Sequence, residues 1–198
     1  MDAYVQGVIP AEMPAGSVLL NLATGALNGA AAGIQFESAV ANPDGGWFAI
    51  GSVEQDDGTQ QNELVRVRED GSVDTTWVPD INGETPGKLG MVADGRLYIS
   101  TWGTYSPLRN YSLDIATGER MSSHTRLPAA AYGDLHYAIG YHLSDGIPNG
   151  ILALDSATGE VKEGWGPVFA PGTDVNGFEI AGDTLFLKGI IYIAGEVE

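Results

Sequence analysis

The sequence predicts an all-β chain: a β-propeller of about four four-stranded antiparallel blades, forming either a small closed ring or a partial propeller. Three observations carry this. A glycine turn recurs four times at a period of 40 to 50 residues, a second glycine hairpin accompanies each copy, and no 12-residue stretch keeps an uninterrupted helical period.

The first turn is written `NLATGAL`, `VREDGSV`, `DIATGER` and `DSATGEV`, with its glycine at Gly25, Gly71, Gly118 and Gly159. The intervals are 46, 47 and 41 residues, the size of one propeller blade. Asn21, Asp114 and Asp155 stand four residues before their glycines. There an Asx side chain can accept backbone N–H groups while glycine supplies the positive φ of a bulged turn. The second hairpin follows in `PDGGWFAIG`, `ADGRLYIS`, `YGDLHYAIG` and `AGDTLFLKG`, around Gly45, Gly95, Gly133 and Gly182. Two hairpins give four strands per unit, with units at about 18–62, 63–110, 111–150 and 151–198. Segments such as `ELVRV`, `HYAIGYHL` and `DTLFLKGIIYIAG` are short, aromatic or β-branched and bounded by turn formers, as strands are.

A further match fixes the register of the repeat. `GSVDTTWVP` and `GEVKEGWGP` place Trp77 and Trp165 six residues after the glycine, with Pro79 and Pro167 two residues later. His124 takes the Trp position in the third unit and Ala31 in the first, a drift expected of a slot packed between neighbouring blades.

These residues carry a resemblance. `LVRVREDGSVDTTWVPDINGE` with `LGMVADGRLYIS`, and `ILALDSATGEVKEGWGP` with `VNGFEIAGDTLFLKG`, are similar to delta-60-type β-propeller repeats: an apolar strand, a D-x-x-T/D-G turn, an aromatic, then a second D-G hairpin. The resemblance runs from about residue 18 to the end and is carried most fully by the second and fourth units. It implies a propeller module of bacterial surface proteins and phage tails, with no family-wide enzyme activity. Four units are fewer than such propellers usually carry, so ring closure stays open. Residues 1–17, with `AYVQGVI`, are a candidate closing strand or assembly contact, and neighbouring copies covering exposed blade edges are the alternative.

Composition bounds the partners. A net charge of -17, from 26 acidic and 9 basic residues, argues against nucleic acid and anionic membrane, because phosphate binding depends on Lys and Arg displacing counterions. No run of about 18 apolar residues offers a membrane span. There is no cysteine, hence no disulfide framework or thiol chemistry. The N-terminus lacks the basic start and apolar core of a secretory signal. The expectation is synthesis in the cytoplasm and arrival at a virion or cell surface without a signal peptide of its own.

No catalytic signature of the G-x-S-x-G, H-E-x-x-H or G-x-G-x-x-G type occurs. `GETPGKL` (83–89) is one residue short of a phosphate loop and reads as a loop between strands. His124, His136 and His142 all fall in the third unit, and packing is the simpler role for them than metal or base chemistry. Asp56, Asp57 and Glu63 lack the spacing of a calcium loop and read as a solvated tip. Asp134, Asp174, Glu179 and Asp183 are acidic enough for glycoside chemistry, yet Asp134 and Asp183 directly follow turn glycines. No cofactor or metal is expected.

The stretch `TWGTYSPLRNY` (101–111) carries Trp102, Tyr105, Arg109 and Tyr111, residue types that dominate recognition surfaces. Packing between blades accounts for Trp102 and Tyr111 equally well. The expected function is a noncatalytic structural or interaction module of an extracellular assembly, such as a phage tail or other virion appendage. Its expected partners are other proteins of that assembly, copies of itself, or a host surface receptor or glycan. A carbohydrate-binding or carbohydrate-active propeller is the second reading, and an intracellular protein-interaction scaffold the third.

Overall fold

The computed structural model describes residues 16–20, 27–32, 34–54, 58–103, 106–124, 126–140, 150–166, 169 and 172–192. Gly25, Tyr105, His142, Asp56, Asp57, Pro167 and most of the candidate closing segment 1–17 lie outside them. Among the described residues the chain is all-β, with no helix and with antiparallel pairing throughout.

Five sheets follow one another along the chain. The first pairs β1 (Gly16–Leu20) with β2 (Leu27–Ala32). The second is β3 (Ile34–Ala41), β4 (Trp47–Glu54) and β5 (Gln60–Val67). The third is β6 (Thr85–Ala93), β7 (Arg96–Gly103), β8 (Ser106–Asp114) and β9 (Arg120–His124). The fourth holds β10 (Ala130–Tyr132), β11 (Leu135–Gly140) and β12 (Gly150–Asp155), and the last pairs β13 (Asp174–Ala181) with β14 (Thr184–Ile190).

The sequence predicts four strands in every unit; among the described residues only the third sheet has four. The second and fourth keep a remnant of the missing strand as single bridges, Val67 to Val73 and Leu154 to Val161. The reason is local. After Val73 the Asp74 carboxylate accepts from the Thr76 backbone N–H (3.1 Å) and hydroxyl (2.6 Å), and its carbonyl from Trp77 N–H (3.2 Å). That turn takes the chain off the sheet. Beyond Val161, Gly164 at φ 72° does the same. In `RMSSH` no turn former intervenes, and β9 runs five residues.

The repeated turn has the same geometry in its two best copies. Asp114 Oδ1 accepts from Ala116 N (2.9 Å) and Thr117 N (2.8 Å), and Asp155 Oδ1 from Ala157 N (3.0 Å) and Thr158 N (2.9 Å). Thr117 and Thr158 hydroxyls each accept from the N–H two residues on, both at 3.2 Å. Gly71, Gly118 and Gly159 all have positive φ. In the second hairpin of the third sheet Asp94 (51°) and Gly95 (72°) both have positive φ, the two-residue turn that matches strand twist.

The core lies between sheets. One cluster joins Phe48, Ile50, Leu64 and Trp77 of the second sheet and its exit to Leu89, Leu97, Ile99, Tyr111, Leu113 and Ile115 of the third. Another joins Tyr137, Ile151 and Ala153 of the fourth sheet to Phe178, Ile180, Leu185 and Leu187 of the last. Between these two, Tyr98 of β7 meets His124 at 5.0 Å and His136 of β11 at 5.2 Å. Each slot residue packs on the second strand of its own sheet, Trp77 on Phe48 (5.1 Å), His124 on Tyr98 and Trp165 on Tyr137 (5.2 Å), and Trp77 and Trp165 also belong to the clusters shared with the next sheet. Burying each large side chain contributes about 1.5–3 kcal/mol.

Turn glycines also seat on the preceding sheet's exit. A Cβ on Gly118 would collide with the Val78 carbonyl oxygen, and one on Gly159 would come 2.7 Å from His124 Nδ1, whereas Gly95 faces open space. Gly95→Ala should therefore cost only the left-handed strain, about 1–2 kcal/mol, and Gly118→Ala distinctly more. Urea unfolding of the two variants side by side checks the order.

Candidate functional site

The stretch 101–111 spans the β7–β8 hairpin, and the register separates its members. Thr101 pairs with Arg109 and Ile99 with Tyr111, so Thr101, Arg109 and Tyr111 share one face of the sheet, while Trp102 follows on the other. Tyr111 is buried in the core. Trp102 is 56% exposed.

On the first face the organising group is Glu84. It is delivered by a tight turn at Asn82 (φ 50°) and Gly83 (φ 71°), closed by Glu84 N–H donating to the Ile81 carbonyl at 2.9 Å. The Thr101 hydroxyl donates to its Oε2, Arg120 Nη2 lies 3.3 Å from the same oxygen, and Arg109 Nη1 lies 3.4 Å from Oε1. Arg120 also sits 3.7 Å above the Tyr111 ring and donates to the Asp80 carbonyl at 3.4 Å. Burial pushes the Glu84 carboxyl up, but the Thr101 hydroxyl and the Arg120 and Arg109 charges outweigh it and hold the group below its ordinary value. Burial raises the Tyr111 phenol. Both carboxylate oxygens are engaged, and the cluster ties the hairpin to β6 and β9.

On the opposite side the Trp102 ring lies over Gly87 of β6: a Cβ there would collide with Trp102 Nε1. Leu108, on β8 of the same hairpin, is 46% exposed. The result is an aromatic and an aliphatic side chain held outward on a backed strand pair.

The acids considered for glycoside chemistry do not face one another in a shared cluster among the described residues. Asp134, Asp174, Glu179 and Asp183 are all exposed: Asp134 and Asp183 on turns, Asp174 at the start of β13 and Glu179 within it. Among the described residues no group of three His, Asp or Glu side chains comes together as a metal site requires. Asp74 binds Arg66 (Nε, 2.9 Å) and Arg68 (2.7 Å) besides Thr76, and the Thr76 and Arg66 hydrogen bonds hold its carboxyl far below the usual range. His136 is 2% exposed, its Nε2 3.6 Å from Asp94.

Glu84, Arg120, Asp74 and Leu108 did not stand out in the sequence. The Asn-Gly pair before Glu84 signals the turn, but nothing local signals the three partners the turn aims it at.

No protein-family model, curated protein or solved structure matches this chain.

Two outcomes follow from the site's electrostatics. Replacing Glu84 by Ala removes the acceptor of the buried Thr101 hydroxyl and the carboxylate facing Arg120 and Arg109, and should destabilise the fold by about 1–3 kcal/mol in urea titration, with Glu84→Gln in between. Burial also lowers both imidazoles, joined by the Arg96 charge at His124 and opposed by Asp94 at His136. The unfolded chain therefore binds protons first as pH falls. The imidazole contribution is complete above about 6.5 and is lost as pH drops through that value toward the lower folded pKa values. The urea midpoint should decline from about pH 7 to 5, and His136→Gln should flatten the slope.

Proposed function

We propose that the chain is a run of propeller blades serving as a noncatalytic contact module of an extracellular assembly, such as a virion appendage. Its contact would be with neighbouring proteins or a surface receptor. The blade reading is supported by small sheets that pack in chain order with an aromatic or imidazole slot at successive joints. The contact reading rests on one observation, the outward Trp102 and Leu108 on a hairpin braced by Glu84. A preordered aromatic loses little entropy on binding, which is why such residues become interface anchors.

A second reading, carbohydrate binding, is favoured by the same ring. Backed by Gly87, it offers a flat apolar surface of the kind on which a sugar ring can stack. A glycan array separates the two, since a protein contact module should be silent on it and on chromogenic glycosides.

Amine cross-linking of the native particle tests the contact reading through the exposed Lys88, which lies on β6 beside Gly87. Cross-links from Lys88 to another protein are expected. A protein that stays an isolated monomer, with no such links, sinks the reading. Trp102→Ala should abolish the contact while changing stability by no more than about 0.5 kcal/mol, as surface substitutions do.

A further inference from the structure

The two-stranded sheets at either end of the chain are complementary halves of the four-stranded one. The sequence between β1 and β2 contains `NLATG`, a motif whose relatives elsewhere join the third strand to the fourth: β8 to β9, β5 to the Val73 bridge, β12 to the Val161 bridge. β13–β14 turns at `AGD`, a glycine hairpin whose relatives `ADG` and `YGD` elsewhere join the first strand to the second: β6 to β7 and β10 to β11.

The pairing rule between second and third strands is the same in all three inner sheets. The first residue of the second strand pairs with the residue four before the turn glycine: Trp47 with Val67, Arg96 with Asp114, Leu135 with Asp155. Applied to the ends, Thr184 falls opposite Asn21. That sets Leu185 against Leu20, Phe186 against Leu19, Leu187 against Val18, Lys188 against Ser17 and Gly189 against Gly16. The register spans the whole of β1 and brings apolar residues opposite apolar ones.

Among the described residues β1 pairs only with β2 and β14 only with β13, so there each strand has one edge with no described strand beside it. Exposed apolar side chains gather along β14 and just past it: Phe186 at 58%, Ile190 at 58% and Tyr192 at 54%. Within one chain three sheets stand between the two edges, and β1 packs on β3 at the far end of the succession.

We infer that β14 of one copy accepts β1 of a second copy as its next antiparallel strand, in the register Leu185 to Leu20 through Gly189 to Gly16. The joint sheet then has the four-strand order of β6 to β9. Because the two edges differ, the contact is head to tail, and repetition gives a ring if the rotation closes and a filament if it does not. This rests on the blade reading above.

The chain has no cysteine, so engineered pairs are unambiguous. Neighbouring cross-strand Cα atoms lie about 4.5–5.5 Å apart, within disulfide reach. The double variants Leu19→Cys with Phe186→Cys, and Val18→Cys with Leu187→Cys, sample the two alternating pair geometries. Ser52→Cys with Asn62→Cys, paired within β4–β5, is the control. Expected are reducible bands at twice the chain mass and above for the end pairs, and an intrachain bond for the control. An intrachain bond at the end pairs overturns the inference, as does no bond there while the control forms, an outcome that leaves the blade reading standing. A control that fails sinks the sheet pairing beneath both. Light scattering of the unmodified protein provides an independent check: mass should rise with concentration and fall in Phe186→Asp, and a monomer throughout overturns the inference.

Discussion

Among the described residues each sheet has two to four strands and leaves an apolar face that only a neighbour can cover, and everything else follows from that. A two-stranded hairpin is marginal alone and a wider sheet needs something packed on its apolar face, and here the buried residues are pooled between successive sheets rather than kept within one. Leu64 and Phe48 are covered by Leu97 and Ile99 of the next sheet, and Tyr137 and Ile151 by Phe178 and Leu185 of the one after. Stability is therefore a property of neighbours, by the logic that holds for stacked-repeat proteins, where each unit contributes an intrinsic term and an interface term.

The polar chemistry serves the same arrangement. Asp74 turns the chain off the second sheet while holding two arginines, and Glu84 collects a hydroxyl and two guanidiniums from three strands of the third. The oxygens of both carboxylates are engaged within the fold. Among the outward apolar side chains are Trp102 and Leu108 at the β7–β8 hairpin and Phe186 and Ile190 on the last strand.

What could be read from the sequence was what is encoded within five or six residues. The `ATG` turns fall in this class, because Asp114 and Asp155 reach no farther than the third residue on, and so do the positive-φ glycines. The slot residues Trp77, His124 and Trp165 were legible from spacing alone. Sheet width was not, since it depends on whether a turn such as that at Asp74 intervenes before a fourth strand can run. Nor was the Glu84 cluster, whose partners Thr101 and Arg120 lie 17 and 36 residues away. How Trp102, Arg109 and Tyr111 divide between the two faces also depends on where β7 and β8 turn and pair, which the stretch itself does not spell out.

The seating of each turn glycine on the exit of the sheet before it bears on how such a chain can change. Gly118 rests on Val78 and Pro79, and Gly159 on His124, positions six to eight residues past the previous turn glycine. One genetic segment thus encodes both the plug that enters the preceding unit and the socket that receives the following one. Duplication or loss of a whole segment preserves every joint, so the number of sheets can drift over generations while the fit between them is inherited intact.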